Sequence, residues 1–288
     1  MARIEVDVVR AFVDGEDGGN PAGFVLDGDA VTPEQRQAIA AEVGVPETAF
    51  VTKSDVADVE LVFHTPTRRI PHCGHATIAA FSRLFALGRF HGDVATNATV
   101  DGVRSIFHEE GAVFMEQVHP TYRELAGAGA KAALLQALGL EPDDLLPGFE
   151  PRLAHNGNGL LLVPLKELAV LPRIRPDLDA IARLSEADGL VGLYAFAPTP
   201  GGPRDAEVRM FAPAYGIPEE AATGMMAGPL GHWLHHVLGV PKTTLAIGQG
   251  RFMEPPSPSR IEVRLDPIGL RVGGRAKLAE RRTFDLSH

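Results

Sequence analysis

The sequence predicts an α+β fold of two pseudo-symmetric halves, each with largely antiparallel strands wrapped around one central helix. An internal repeat carries most of that prediction. Gly74-His-Ala-Thr-Ile-Ala-Ala-Phe-Ser-Arg-Leu84 and Gly224-Met-Met-Ala-Gly-Pro-Leu-Gly-His-Trp-Leu234 lie 150 residues apart, and each runs on to a Leu-Gly stop. The first copy is apolar almost all round, with only His75, Thr77, Ser82 and Arg83 polar, as expected of a helix buried by its surroundings. The runs between Val94 and Val118 are joined by connections too short for parallel crossovers, which makes that meander antiparallel.

The elements follow in order. Ile4, Val6 and Val8 alternate with Glu5 and Asp7, the period of a half-buried strand over residues 4–13. Phe24-Val25-Leu26, Thr48–Val51 and Val59–His64 are short strands bounded by Gly, Asp and Pro. Thr32-Pro33-Glu34-Gln35 opens a helix with a cap, a first-turn proline and a capping-box glutamine, and Gly44 closes it. Val94–Val100, Val103–His108 and Ala112–Val118 are joined by hairpin turns at Asp101-Gly102 and Glu110-Gly111. Further strands are expected at Leu160–Val163, Gly192–Phe196, Glu207–Phe211, Thr244–Gly248 and Ile261–Leu265, and helices near Ala126–Leu138 and Pro176–Leu184. Pro229, inside the second central helix, is tolerable only near the first turn or at a kink. The halves are expected at residues 1–122, completed by a strand near 270–285, and 123–270, with Leu125–Ala130 as a hinge. Pro255–Ser259 reads as a loop, and the basic tail after Lys277 as a disordered end or an edge.

Composition narrows the function. With 45% apolar residues there is ample material for a core, and a net charge of −10 argues against nucleic acid or anionic membrane as partner. One cysteine, Cys73, excludes an intrachain disulfide and any multi-thiolate metal site. The N-terminus lacks the apolar core of a secretory signal, and no apolar run approaches 18 residues. A cytoplasmic protein acting on small molecules is expected.

Several residues could carry chemistry. Glu47 interrupts the strand entry Val-Pro-Glu-Thr-Ala-Phe, where a charge is costly unless exposed or used; alone it reads as a solvated turn residue or a base. His75, at a helix start, reads as a cap, a core residue or a proton carrier. Glu219 and Glu220 suit a helix N-terminus. Cys73 also sits at a helix start, where a thiol pKa tends to fall, though a buried inert cysteine is the commoner outcome. The amides at Gly74–Ala76 and Gly224–Met226 open the two central helices; facing one cleft, they would hold a carboxylate. The alternative is that both glycines serve only tight turns. His72-x-x-His75 and His232-x-x-His235-His236 suggest metal ligands, yet no His-Glu-x-x-His pattern or acidic ligand at helical spacing accompanies them, so no metal is expected. Asn156-Gly157-Asn158-Gly159 fails as a phosphate loop because it precedes a strand, and no nucleotide motif is present; no cofactor is expected.

Taken together, Gly19-Asn20-Pro21-Ala22-Gly23, Pro46-Glu47-Thr48-Ala49-Phe50, Thr65-Pro66-Thr67, Cys73-Gly74-His75-Ala76-Thr77, Gly216-Ile217-Pro218-Glu219, Ala222-Thr223-Gly224 and Val272-Gly273-Gly274-Arg275 form an ordered set. It resembles the phenazine-biosynthesis isomerase-like proteins, relatives of diaminopimelate epimerase, over nearly the whole chain. The resemblance implies two β-barrel-like halves around central helices with the site between them, cofactor-free proton transfer on a small carboxylate, and a homodimer. It implies Glu47 as the base, assisted by His75 and a helix-start acid.

Where the family usually has Asp-Pro-Ala-Thr-Gly-Ser, this chain has Glu220-Ala221-Ala222-Thr223-Gly224-Met225. Glu220 extends the acid by about 1 Å, a displacement that can cost about a hundredfold in rate. Ala221 frees a backbone angle, and Met225 replaces a hydroxyl with bulk, which speaks against the phenazine precursor as substrate. The expected isomerase uses Glu47 as general base and then acid, its pKa raised by partial burial. His75 and Glu220 hydrogen-bond the substrate, backbone amides at Gly74, Ala76, Gly224 and Met225 stabilise enolate-like charge, and Asn20 shapes the pocket. One alternative is a racemase or epimerase; with Ala221 or Ala222 where a second thiol would stand, only a mixed Cys73/Glu220 pair is open to it. Another is a non-catalytic small-acid-binding protein with a degenerate site.

Overall fold

Alternation in Ile4–Val8 builds β1 (Arg3–Ala11), with Val6 and Val9 wholly buried, in a computed structural model that describes residues 3–16, 18–100, 102–127, 129–267 and 269–285. The chain divides into two units, Met1–Glu116 with Gly273–His288, and Gln117–Val272. In the first, β2 (Asn20–Val25) is antiparallel to β1 and parallel to β3 (Glu47–Thr52), and α1 (Pro33–Val43) makes the crossover that a parallel pair needs. The capping box forms as expected: Thr32 Oγ1 accepts from the Gln35 amide (3.3 Å), Gln35 Oε1 accepts from the Thr32 amide (2.9 Å), and Gly44 ends the helix in the left-handed region at φ 69°. β4 (Val59–His64) is antiparallel to β3 and to the two-residue β5 (Arg69–Ile70), and parallel to β6 (Val94–Thr99).

α2 (Gly74–Ala86) is the crossover between β4 and β6. It buries His75 through Phe81 and Leu84 against β1, β2, β3 and β7 (Gly102–Glu109). β6, β7 and β8 (Ala112–Gln117) form the antiparallel meander. Its second turn has Glu110 at φ 53° and Gly111 at φ 76°, the paired positive angles of a type I′ hairpin. Asp101 of the first turn lies outside the described residues.

The second unit holds β9 (Thr121–Glu124), α3 (Ala130–Leu138), β10 (Arg152–His155), β11 (Gly159–Pro164), α4 (Leu178–Asp188), β12 (Leu190–Pro198), β13 (Ala206–Phe211), α5 (Gly224–His236), β14 (Thr244–Gln249) and β15 (Ser259–Asp266). From β10 to β15 the pairings run antiparallel, parallel, antiparallel, parallel, antiparallel, with α4 and α5 as the two crossovers. The same succession runs from β1 through β2, β3, β4 and β6 to β7, with α1 and α2 as crossovers.

Two expected helices are displaced. α3 begins at Ala130, not Ala126, so Leu125–Ala130 leads into a helix of the second unit, with Ala128 outside the described residues. α4 runs from Leu178 to Asp188 because Asp177 caps it, accepting from the Ala180 amide (2.9 Å), which leaves Pro176 outside. Pro229 lies in the second turn of a helix that continues through it, a departure from the expected placement whose compensation is described below.

The chain re-enters the first unit within β16 (Gly269–Gly274) and ends in β17 (Ala276–Asp285), an ordered strand antiparallel to β1 from Arg3 opposite Asp285 to Ala11 opposite Ala276. Asp7 of β1, 5% exposed, is held by Arg83 of α2 (2.8 Å) and Arg281 of β17 (2.6 Å). As far as Asp285 the basic tail is thus a strand, and of its charges Arg281 is answered by Glu5 and Asp7 on β1. Among the described residues no helix is long and apolar enough to cross a membrane.

Candidate active site

In the first unit, strand pairing places Glu47 and helix initiation places His75. Glu47 is the first residue of β3, in register with Ala22 one pair away from Gly23. A Cβ on Gly23 would lie 2.6 Å from Thr48 Oγ1, so glycine there lets the strand carrying Glu47 approach β2. His75 is the second residue of α2. Its Nε2 lies 3.0 Å from Glu47 Oε2, with Glu47 7% and His75 4% exposed. Oε2 accepts no well-aligned hydrogen bond, so the pair is an ion contact. Cys73 Sγ is 3.5 Å from His75 Nδ1. Asn20, the first residue of β2, is buried.

The electrostatics correct two expectations. Burial pushes the Glu47 carboxyl up, but the charge of His75 and its contacts with His75 and Cys73 outweigh this and hold it below the usual range, not above. Burial alone would push His75 down; Cys73 and Glu47 around its ring hold it well above 6.5 instead. The resting pair is thus carboxylate and imidazolium. Cys73 does not gain the lowered pKa of a helix-start thiol: burial, then the Glu47 charge, push it up to about 11, against the opposing effects of His75 and the Ala76 amide. At neutral pH it is a thiol, unsuited to act as a base.

In the second unit, the two adjacent acids have separate positions. Glu219 is claimed by Arg209, which donates to its two oxygens at 2.8 Å each and also to the carbonyls of Leu171 and Ile174. Glu220 instead accepts from Thr223 Oγ1 at 2.5 Å, beside the start of α5. Ala221 and Ala222 are both buried. Neither Cys73 at the N-cap of α2 nor Thr223 at that of α5 caps its helix with its side chain, whereas Thr32 and Asp177 cap α1 and α4. Apart from the Ala76 amide, which faces the Cys73 thiol, the first-turn amides at Gly74–Ala76 and Gly224–Met226 meet no capping side chain.

The Asn156–Asn158 turn, rejected above as a phosphate loop, serves α5. Asn156 Nδ2 donates to the Met225 carbonyl (3.2 Å), and Asn158 Nδ2 lies 2.9 Å from Met225 Sδ. Gln117 Nε2 donates to the Gly224 carbonyl (3.1 Å). Met225 is therefore anchored by a turn whose polar repeat was visible in the sequence but whose partner was not. Gln249 and Tyr194, both buried, also bear on Glu220 and were missed; each lies in a strand with no local signal of a role.

Among the described residues, one group of three potential ligand atoms lies within 4.8 Å, that of Glu47, Cys73 and His75. It is the Glu47–His75 pair with the Cys73 thiol beside the imidazole. His232, His235 and His236 do not form such a group, although their rings touch one another. Burial and the neighbouring His236, His119 and His235 push His232 down to about 4.

A family model described as phenazine biosynthesis-like protein matches residues 9–281, and the chain belongs to that family. It is an isomerase of the family by its relatives. It is 36% identical over 232 residues, covering 79% of this chain and 78% of the other, to an uncharacterized isomerase of Escherichia coli O157:H7. It is 31% identical over 227 residues, 77% of each, to the trans-2,3-dihydro-3-hydroxyanthranilate isomerase of Pseudomonas chlororaphis. The crystal structure of a phenazine biosynthesis protein of Bacillus anthracis superposes with a TM-score of 0.86 at 28% identity, covering 99% of this chain and all of that one. A hydroxyproline epimerase of Agrobacterium vitis shares the fold alone, with a TM-score of 0.60 at 14% identity over 99% of this chain and 91% of that one.

Proposed function

We propose that this isomerase moves a proton on a small unsaturated or hydroxy or amino carboxylic acid without a cofactor. The observation that carries the reading is the buried Glu47–His75 pair, an ionised carboxylate whose Oε2 has no aligned donor facing a charged imidazole at 3.0 Å. Glu47 takes the proton and returns it; His75, as imidazolium, stabilises charge developing on the substrate. Glu220 hydrogen-bonds a substrate hydroxyl or amine, the uncapped helix starts at Gly74–Ala76 and Gly224–Met225 favour anionic oxygen, and Asn20 shapes the pocket. The matching order of strands and crossovers supports a duplicated unit, in which Glu47 begins β3 and contacts His75 of α2, while Glu220 lies in the loop before α5. The raised thiol pKa of Cys73 and the alanines at 221 and 222 count against epimerisation by two opposed bases.

The test is incubation in D₂O with trans-2,3-dihydro-3-hydroxyanthranilate and a panel of small hydroxy and amino acids, followed by NMR. Deuterium incorporation that Glu47→Gln abolishes is expected. Full exchange in Glu47→Gln removes Glu47 from the mechanism, and binding without exchange across the panel favours the non-catalytic reading.

A further inference from the structure

Glu220 ends a hydrogen-bonded chain whose direction is fixed at every link. The Thr223 amide can only donate, and it donates to Gln249 Oε1 (3.1 Å), so this atom has to be the carbonyl end of the side chain. Tyr194 donates to the same oxygen (2.9 Å). The amino end of Gln249 then donates to the Glu220 backbone carbonyl (2.8 Å) and to Thr223 Oγ1 (3.0 Å). With Oγ1 accepting from Gln249, the single proton of the Thr223 hydroxyl is directed to Glu220 Oε2, 2.5 Å away.

Both lone pairs and both amide protons of Gln249 are thereby used, in a side chain 1% exposed. Burial, with the charge of Glu220 adding to it, pushes the Tyr194 phenol well up and keeps it a donor. A threonine at this position ordinarily turns its hydroxyl back to accept from a first-turn amide; Thr223 does not. The turn after Gln249 needs Gly250, at φ 78°, because a Cβ there would stand 2.1 Å from the Ser257 carbonyl oxygen and 2.7 Å from that of Ala221.

We propose that Gln249, braced by Tyr194, is a positioning residue that makes Thr223 an obligate donor to Glu220 Oε2 and so holds that carboxylate in one orientation. The assignment rests on the reading of Glu220 given above. Lengthening the acid by a methylene adds a rotatable bond, and the lock removes that freedom.

The Glu220 carboxyl is titrated by ¹³C NMR in protein labelled at its glutamate carboxyls, with Glu220→Gln identifying the resonance. Thr223→Val and Gln249→Met are each expected to raise the midpoint by about one pH unit, the worth of one hydrogen bond to a charged group. The double variant is expected to go no further than Thr223→Val alone, because Gln249 acts through that hydroxyl. Gln249→Leu replaces Gln249→Met if the latter does not fold. A midpoint unmoved by the Gln249 variants, or additive rises in the double variant, overturns the proposal. None of these readouts needs a substrate, so they are separate from proton exchange in Glu220→Gln, whose persistence would instead defeat the catalytic reading of Glu220.

Discussion

Asn156 supplies Met225 with the hydrogen bond that α5 cannot. Four residues on, Pro229 has no amide to donate to the Met225 carbonyl, and the Asn156 side chain donates to it at 3.2 Å instead. This is how a proline survives in the second turn of a buried helix.

Asn156→Ala should therefore cost about 1–2 kcal/mol, the loss of a part-buried hydrogen bond and of the carbonyl's partner. In a Pro229→Ala background, where the helix regains its own donor, the same substitution should cost less by at least about 0.5 kcal/mol. Urea denaturation of the four proteins measures the coupling, and strictly additive costs would show that the two residues do not share that carbonyl.

The charge states of Glu47 and His75 set the pH profile. Glu47 is held below its ordinary value of 4.5 and His75 well above 6.5, so the charged pair exists between those limits. Proton exchange should stay level across neutral pH, fall as acid protonates Glu47 below 4.5, and fall on the alkaline side as His75 loses its proton. Stability follows the same signs. The contribution of Glu47 is present above its unfolded pKa and lost as pH falls through the folded one; that of His75 is present below its unfolded pKa and lost as pH rises through the folded one. An exchange rate that climbs steeply between pH 5 and 7 would mean that Glu47 titrates there, contrary to the geometry.

Asp7 ties β1 to α2 and β17 through Arg83 and Arg281. Asp7→Ala removes the acid shared by Arg83 and Arg281, leaving Arg281 only its longer contact with Glu5 (3.6 Å), and should cost about 3 kcal/mol, towards the lower end for a broken buried pair because Arg281 is half exposed. Although burial opposes it, hydrogen bonds and charges from Arg281 and Arg83 lower the Asp7 pKa, so its contribution exists above 3.8 and fades as pH falls through the folded value. Thermal melts of wild type and variant should converge in acid; a constant gap down to pH 2 would refute the assignment.

Gly23→Ala tests how the strand holding Glu47 is seated. The new methyl carbon would sit 2.6 Å from Thr48 Oγ1 and 2.8 Å from its Cγ2, an overpacking that should cost about 1–3 kcal/mol. Displacing Thr48 shifts Glu47 next to it, so exchange should slow by more than the lost stability explains, on the order of tenfold or beyond. Adding Thr48→Ala should return most of both losses.

Local signals fared well wherever they were self-contained. The capping box at Thr32, the I′ turn at Glu110-Gly111 and the apolar α2 each depend on neighbours in sequence. Glu47 and His75 stood out because a charge broke an apolar entry and an imidazole opened a helix. What stayed hidden depends on partners far along the chain. A strand near 270–285 is expected to complete the first half, but its register against β1 is not legible, because β17 is mostly exposed and shows little alternation. The direction of the Glu47 shift follows from a 3.0 Å contact across two elements, and Gln249 gains its role only once β14 lies beside the loop carrying Glu220.

The pairing of β1 with β17 also has a consequence for synthesis. β1 is made before the whole second unit, which is continuous in sequence from Gln117 to Val272, and its partner is made after it. The second unit can complete its sheet while translation continues. The first, which carries Glu47 and His75, waits with one side of β1 open until β17 follows.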